Sequence, residues 1–211
     1  MKSNFNRVIL STAYLPPVEY ISAVYHSEKS EVEQFDRYQK QSYRSRCHIY
    51  GASGLLSLTI PVSRADGHYL PIRDMKIDYS TKWQAEHWRA LISAYRTSPF
   101  FEYYEDDFAP FYHKQFDFLF DFNTELLHLI CNLMGVSSIP GLTSEYLHTY
   151  SDDSVLDLRD KIHPKKESLV LPDKKESGLY FQVFAHKLGF IPNLSAVDLL
   201  FNEGTDSVSY L

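Results

Sequence analysis

The feature that most constrains this fold is a buried-strand pattern that two consecutive prolines end and a helical pattern follows. Residues 7–14, RVILSTAY, include three successive apolar residues that favour a buried strand. Pro16 and Pro17 stop that strand, and proline suits the first turn of a helix because its missing N–H would have no partner there. Apolar residues then recur at helical spacing, which predicts a short helix over residues 17–26.

Residues 31–38 show a weaker strand pattern, and with the two preceding elements they would complete a right-handed βαβ unit. The loop Tyr14–Pro17 would then lie at the carboxyl end of a strand. Ligands of open α/β sheets usually bind at that edge, so the loop is the first place to look for a site.

Strand and helix patterns alternate along the rest of the chain. Further strands are predicted over residues 55–62, 72–79, 168–171 and 180–184. Thr81 with Gln84 forms a capping-box pattern for one helix, Asn123 would cap a second that Gly135 ends, and Ser195 would cap a third. The pattern predicts an α/β fold, with a mixed sheet of four to five strands, helices packed on it and a helix-rich C-terminal half. We expect one domain, residues 1–211, with an exposed charged connection around 151–178.

Composition excludes several classes of protein. Hydrophobic residues make up 44% of the 211 residues and aromatic residues 15%, which excludes a disordered chain. The net charge of −6 comes without a basic stripe, so no nucleic-acid partner is expected. No run approaches the ~18 apolar residues of a membrane span. Cys47 and Cys131 indicate no disulfide framework, and reduced thiols in a cytoplasmic protein are the simpler interpretation.

The segment QSYRSRC, residues 41–47, is the strongest candidate for a binding site. Arg44 and Arg46 would lie on one side of an extended segment, because side chains alternate with period two. Adjacent guanidiniums repel each other unless an anion or carboxylates neutralise them, and a phosphate or carboxylate fits the planar guanidinium fork. The alternative is that both arginines pair with acids of the chain itself or lie in solvent. Two neighbouring cations would lower the thiol pKa of Cys47, although a buried, inert cysteine is the simpler interpretation.

Three other features carry candidate chemistry, each with a structural alternative. His87 borders the apolar face of its predicted helix, so it is either a packed structural residue or a general acid or base. Leu158–Lys166, LRDKIHPKK, is a solvated loop or a mobile loop that closes over an anionic substrate. Glu102–Phe108, EYYEDDF, is the acidic first turn of a helix or a cation site. No other histidine stands at metal-ligand spacing from His87, so no zinc site is expected, and the GxGxxG, GxxxxGK[ST], GxSxG and HExxH motifs are absent.

The order of the motifs resembles the WbqC-like family. AYLPPVEYIS, then QSYRSRCHI followed by LTIPV, is similar to the family's opening motifs. KWQAEHWRALISAYRTSPFF resembles its tryptophan–histidine helix, and FIPNLSAVDLLFNEG resembles its closing motif. The chain departs from the family where Ser11-Thr12-Ala13 replaces the usual Gln-Pro entry and where the charged segment 151–178 replaces a YLSG-like stretch. Family members are often encoded among genes for surface polysaccharides such as O-antigen, so the resemblance implies a role near sugar modification.

Carried over by motif, the resemblance marks residues in every part of the chain. We expect His87 and Tyr43 to be catalytic, and the substrate-binding residues to be Tyr14, Pro16, Tyr20, Gln41, Arg44, Arg46 and Trp83, with Leu15, Asn193, Ser195 and Asp198 as further marked positions. The activity implied is that of a transferase acting on a nucleotide-linked or phosphorylated sugar, or on an activated acyl donor. No particular cofactor is indicated. One alternative is a non-catalytic binding or scaffold protein in the same pathway. In the other, the motif residues are structural, with Tyr43 and both arginines locked to internal carboxylates.

Overall fold

The computed structural model describes residues 5–63, 70–168 and 179–211. Its first elements are strand β1 (Phe5–Ser11), helix α1 (Val18–Tyr25) and strand β2 (Ser27–Glu33). The two strands pair in parallel, so the predicted βαβ unit is confirmed, but β2 both begins and ends earlier than the predicted 31–38, and residues 34–38 are not part of it. The apolar run at the centre of β1 is completely buried.

Two short strands extend the parallel sheet. Strand β5 (Gly141–Leu142) pairs with β2, and strand β6 (Val155–Asp157) pairs with the free side of β1, which gives the order β5-β2-β1-β6. The chain thus moves outward from β1 in one direction and then returns to its other side. The crevice at the carboxyl ends of β1 and β6 is therefore the topological switch point, where ligands of such sheets bind.

A second sheet is a hairpin of strands β3 (Arg46–Gly51) and β4 (Gly54–Thr59), which pair antiparallel. Gly54, at the turn, has a φ of +109°, a conformation that side chains other than hydrogen rarely adopt. The register sets Arg46 opposite Thr59, so the first residue of the hairpin meets the last.

The described helices confirm an α/β fold with a helix-rich C-terminal half. After α1 come α2 (Trp83–Tyr95), α3 (Phe101–His113), α4 (Leu119–Leu133), α5 (Ala185–Leu188) and α6 (Ala196–Glu203). Single 3₁₀ segments lie at Ile72–Asp74 and Gly204–Tyr210. In the three described ranges, no helix is both long enough and apolar enough to cross a membrane.

The first turns of α1 and α6 satisfy each other's hydrogen bonds. The N–H of Val18 donates to the carbonyl oxygen of Leu194 at 2.9 Å, and the N–H of Ala196 donates to that of Pro16 at 2.7 Å. The N–H of Glu19 donates to the side-chain Oδ1 of Asn193 at 3.0 Å. The first N–H groups of a helix have no partner within that helix, so this exchange fixes both helix starts. Ser195 accepts from the N–H of Val197, as the cap prediction requires.

Several predicted elements are wrong. Residues 72–79 begin with a 3₁₀ turn, and Lys76 and Ile77 make only isolated bridges to Phe118 and Val62. Their alternation reflects burial of Met75 and Ile77, without a neighbouring strand to pair with. Residues 180–184 are a turn that leads into α5 and form no strand.

Two predicted helix caps are also wrong. Asn123 lies inside α4, where its side-chain Nδ2 donates to Thr12 Oγ1 at 3.2 Å and to the carbonyl oxygen of Arg44 at 2.8 Å. Because Asn123 lies beyond the first turn of α4, it does not cap the helix, and its polar side chain instead makes buried hydrogen bonds. The residue before α2 is Lys82, and no side chain caps that helix, so the Thr81–Gln84 pattern has no counterpart.

The connection predicted around 151–178 contains more structure than its charge suggests. Strand β6 lies within it, and Leu158, Arg159 and Ile162 are buried. The charged residues there partly face one another, as described below. Residues 169–178, which include most of the strand predicted over 168–171, lie outside the described residues.

Asp198, in the first turn of α6, is a completely buried carboxyl group. It accepts hydrogen bonds from the hydroxyls of Tyr95 at 2.8 Å and Tyr180 at 2.7 Å, and from the amide of Gln182 at 2.9 Å. None of these three partners is a cation. Burial raises the pKa of Asp198 to about 6, although the three hydrogen bonds oppose that rise.

The Asp198→Asn variant should gain stability relative to the unmodified protein as the pH rises. The pKa of the folded carboxyl, about 6, lies above its ordinary value, so its contribution favours folding at low pH and is lost as the pH rises through 6. The difference in free energy of unfolding between the two proteins should change by up to ~3 kcal/mol across that window. Urea unfolding at a series of pH values measures it, and a difference independent of pH would contradict the assignment.

Candidate functional site

The structure separates the predicted site residues into two groups. Tyr20, Tyr43 and Arg44 line a small cavity at the switch point between β1 and β6. Tyr14, Trp83 and His87 instead form a buried aromatic cluster. The loop Tyr14–Pro17 does follow the carboxyl end of β1, as predicted, and its residues are buried.

The switch-point cavity is small and lies at the ends of the two strands. Its volume is about 10 Å³, which leaves room for roughly one water molecule. Tyr20 is fixed beside it, because its hydroxyl donates to the carbonyl oxygen of Ser11 at 3.0 Å. The lining residues come from β1 and the loop after it, from α1, from the segment before β3 and from the segment after β6: Leu10, Ser11, Thr12, Ala13, Tyr20, Tyr43, Arg44, Leu158, Arg159 and Ile162.

Arg44 is buried beside this cavity and is already neutralised by the chain's own acids. It forms an ion pair with Asp36, and its Nη2 lies 3.5 Å from Asp160 Oδ1. Its Nη1 donates to Gln39 Oε1 at 3.1 Å. This arrangement matches the structural alternative, in which Arg44 pairs with acids of the chain itself. Its role in binding a substrate anion stays a prediction.

Arg159 belongs to the charged run Leu158–Lys166, but sequence reasoning did not predict that its guanidinium would be buried. Its Nη2 lies 2.6 Å from Asp157 Oδ2, its Nε lies 3.0 Å from Asp157 Oδ1, and its Nη1 lies 3.4 Å from Glu33 Oε2. Four carboxylates therefore surround two guanidiniums, and an anion at the cavity would meet this excess of negative charge. The overlooked signal was the apolar pair Val155-Leu156, which precedes the charged run and forms β6.

The aromatic cluster is joined by a chain of hydrogen bonds. The Tyr14 hydroxyl lies 2.9 Å from His87 Nδ1 and 3.0 Å from the Tyr112 hydroxyl. His87 also bonds to the backbone of Thr59. A carbonyl only accepts, so the ring nitrogen facing Thr59 carries the hydrogen, and Nδ1 accepts from Tyr14. Burial lowers the pKa of His87 to about 4, which leaves the imidazole neutral.

Thr59, the last residue of β4, connects His87 with Arg46. Arg46 is partly exposed, and its Nε donates to Thr59 Oγ1 at 3.2 Å. Trp83 lies behind His87, with ring centroids 5.2 Å apart, and is itself buried. Arg44 and Arg46 therefore make different contacts, and Arg46 is the one associated with His87.

Thr59 also lines a much larger hollow, the Tyr38–Tyr79 cleft, of about 730 Å³. Volumes of ~300–1,000 Å³ are typical of small-molecule sites. Its walls are formed by residues 59–63 and 75–79, together with Tyr38 and Lys40. The lining residues are Tyr38, Lys40, Thr59, Ile60, Pro61, Val62, Ser63, Met75, Lys76, Ile77, Asp78 and Tyr79.

The Tyr38–Tyr79 cleft combines fixed aromatic rings with unpaired cations. The Tyr38 hydroxyl lies 3.0 Å from Ser45 Oγ, and the Tyr79 hydroxyl donates to the carbonyl oxygen of Phe116 at 3.0 Å. The ammonium groups of Lys40 and Lys76 make no ion pair within the described ranges. Sequence reasoning missed both lysines, although the alternation of residues 72–79 already put Lys76 on the face opposite Met75 and Ile77.

The remaining predicted residues lie elsewhere or serve the fold. Gln41 is exposed with a φ of +60°, and its Oε1 accepts from Lys165 Nζ at 2.6 Å. Pro16 supplies the carbonyl that holds α6. Tyr43 packs edge-on against His48 at 5.7 Å, and burial with the nearby Glu19 raises its pKa, so the phenol stays protonated. Its catalytic role stays a prediction.

The structure favours the structural interpretations of Cys47 and of the acidic run Glu102–Phe108. Cys47 is completely buried, as the structural interpretation predicts, and burial raises its thiol pKa. Glu102 lies in the first turn of α3, as the helical interpretation of that acidic run requires. Over the described part of the chain, no three His, Cys, Asp or Glu side chains are grouped to hold a metal ion.

Comparison with known proteins agrees with the order of the motifs. The model of the WbqC-like protein family matches residues 12–210. This chain belongs to the WbqC-like protein family. It is also similar to the uncharacterized protein Rv1507c of Mycobacterium tuberculosis. The two sequences are 28% identical over an alignment of 228 residues, which covers 96% of each chain. No solved structure matches the chain.

Loss of Arg44 should destabilise the protein far more than loss of Arg46. Arg44→Met leaves Asp36 without its partner in a largely buried position, which should cost ~3–5 kcal/mol of unfolding free energy. Arg46→Met removes one partly exposed hydrogen bond and should cost less than ~1 kcal/mol. Urea unfolding of both variants measures the contrast, and equal losses would show that Arg44 is not held as described.

His87 should make the protein less stable in acid. Its folded pKa of about 4 lies below its ordinary value, so its contribution to stability is complete above pH ~6.5 and is lost as the pH falls through 4. The stability advantage of the unmodified protein over His87→Gln should therefore shrink by up to ~3 kcal/mol as the solution is acidified. This slope is opposite to that of Asp198. Chemical unfolding of the variant across pH 4–7 tests it, and an advantage that grows in acid would contradict it.

Proposed function

We propose that this WbqC-like protein is a transferase in cell-surface polysaccharide modification that binds a nucleotide-linked or phosphorylated sugar in the Tyr38–Tyr79 cleft. One observation carries the proposal: Lys40 and Lys76 line the cleft without ion-pair partners in the described residues, while Asp78 is the one acid among its lining residues. Arg46 adds a third cation beside it through Thr59. The cleft thus has excess positive charge where the surroundings of Arg44 have excess negative charge.

The chemistry of the cleft fits both ends of such a substrate. Ammonium and guanidinium groups donate charge-assisted hydrogen bonds to phosphate oxygens, which are stronger than neutral ones. Tyr38 and Tyr79, each held at its hydroxyl, offer aromatic surface to a base or to the apolar face of a sugar. Ile60, Pro61 and Met75 line the same cleft and exclude water from part of its surface.

A second candidate function, non-catalytic binding of the same compounds, is favoured by the state of His87. The residue is 5% exposed and hydrogen-bonds to both Tyr14 and Thr59. General acid or base catalysis requires the reacting proton within hydrogen-bond reach of a free ring nitrogen. In the binding function His87 only positions Thr59. Release of nucleotide from a nucleotide sugar in the presence of acceptor extracts distinguishes the two functions.

Removal of the lysines should weaken binding of UDP-glucose, used as the probe in isothermal titration calorimetry. Lys76→Ala and Lys40→Ala should each raise its Kd about tenfold, as expected for loss of one charge-assisted hydrogen bond. Binding should also weaken as salt is added, because the contacts are partly exposed. Lys187→Ala is the matched control, since Lys187 is exposed on α5 and does not line the cleft.

The proposal fails if glucose 1-phosphate, UDP and UDP-glucose all leave the calorimetric signal and the melting temperature unchanged. It also fails if Lys187→Ala weakens binding as much as Lys76→Ala does. Arg46→Ala gives a third comparison, because it retains the lysines and removes the cation that contacts Thr59.

A further inference from the structure

A second, outer hollow lies beside the switch-point cavity and shares Arg159 with it. It has a volume of about 220 Å³ and is lined by Asp36, Tyr146, His148, Asp157, Arg159, Asp160 and Lys161. Arg159 lines both spaces, and Asp36 and Asp160 of the outer hollow contact Arg44 of the inner cavity. We call the two spaces together the switch-point crevice.

The inner end of the crevice holds a donor without an acceptor. Arg44 is 2% exposed, and its Nε is buried with no hydrogen-bond partner among the described residues. Its other two nitrogens are used, Nη1 by Gln39 and Nη2 by Asp36 and Asp160. Arg44 lines the inner cavity, and an unsatisfied buried donor is unfavourable, so an acceptor oxygen that reached Nε from this cavity would stabilise the arrangement.

The charges around the crevice decide what kind of molecule can supply that oxygen. In the lining of the outer hollow, the carboxylates of Asp36, Asp157 and Asp160 outnumber the cations Arg159 and Lys161, so an entering anion would meet an excess of negative charge. A cation would be repelled by the guanidinium groups of Arg44 and Arg159, which are both buried. A neutral hydroxyl group avoids both repulsions, because its oxygen accepts from Nε while other hydroxyls donate to carboxylates.

The mouth of the crevice has matching partners for such hydroxyls. The side chain of Asp160 is 65% exposed, and only its Oδ1 has hydrogen-bond partners among the described residues. Tyr146 is 41% exposed, with the Arg159 guanidinium 5.2 Å from the centroid of its ring. An exposed ring next to acceptor oxygens suits a molecule with an apolar C–H face and a polar edge.

We propose that the switch-point crevice binds a neutral polyhydroxylated ligand the size of one sugar ring, with one hydroxyl oxygen accepting from Arg44 Nε. The outer hollow, about 220 Å³, is more than twenty times larger than the inner cavity, about 10 Å³, which admits roughly one water-sized group such as a hydroxyl. Asp160 accepts from a second hydroxyl, and Tyr146 contacts the ring face.

This site is distinct from the Tyr38–Tyr79 cleft, although one short segment contributes to both. Asp36 lines the crevice, whereas Tyr38 and Lys40 line the cleft. Gln39, between them, donates to Asp160 Oδ1 at 2.8 Å and accepts from Arg44. A transferase with its anionic donor in the cleft would hold a neutral acceptor across this segment, but binding in the crevice does not depend on that function.

The Arg44 Nε–H resonance in ¹H–¹⁵N spectra of the full chain reports directly on the proposed contact. The probes are methyl α-glucopyranoside, methyl α-mannopyranoside and N-acetylglucosamine as neutral ligands, with glucose 6-phosphate and glucosamine as charged counterparts. At least one neutral probe should shift the Arg44 resonance at millimolar concentration, and the two charged probes should shift it less.

Variants separate the crevice from the rest of the surface. Asp160→Ala should weaken the effective neutral probe about fivefold, as expected for loss of one hydrogen bond to a carboxylate. Asp153→Ala is the matched control, because Asp153 is an exposed acid that lines neither part of the crevice. Lys76→Ala should leave the response intact, so a failure of the proposed function in the cleft is distinguishable from a failure here.

Three results would overturn the proposal. The first is that no neutral probe shifts the Arg44 Nε–H resonance. The second is that glucose 6-phosphate shifts it more than the neutral sugars do, which would reverse the assigned ligand class. The third is that Asp160→Ala and Asp153→Ala weaken the response equally.

Discussion

The mutual capping of α1 and α6 is the interaction on which the position of the proline loop after β1 depends. Backbone groups of Pro16 and Val18 bond to those of Ala196 and Leu194, and Asn193 adds its side chain. These bonds replace water on N–H groups that a helix cannot satisfy internally. They therefore hold the proline loop against the C-terminal part of the chain and fix where β1 ends, which defines one wall of the switch-point crevice.

Local patterns in the sequence were sufficient for the first βαβ unit, because its strand and helix each carry their own periodicity. They were insufficient for β6, whose three residues form a strand only by pairing with β1. They were misleading for residues 72–79, where Met75 and Ile77 alternate into the core without a ladder. Periodicity reports burial, whereas strand formation also needs a partner that lies far away along the chain.

The same limit of local sequence patterns applies to the candidate site, because its contacts involve residues that lie far apart along the chain. Arg44 and Arg46 are two residues apart, yet Arg44 precedes β3 and is buried against Asp36, while Arg46 begins β3 and pairs with Thr59. The sequence identifies both as candidates for anion binding but contains no signal for which acids approach them. Lys40 and Lys76, which have the unpaired charge, could be recognised only once the fold had placed Tyr38 and Tyr79 in one cleft.

The partnership of residues 16–19 with residues 193–196 also has a consequence for biosynthesis. The N-terminal βαβ unit leaves the ribosome long before the segment that completes the start of its helix has been translated. That unit therefore stays incomplete, with its proline loop hydrated, until residues 193–196 emerge. A chain truncated shortly before α6 would therefore lack the groups that complete the first turn of α1, and its N-terminal part could not close as it does in the full structure.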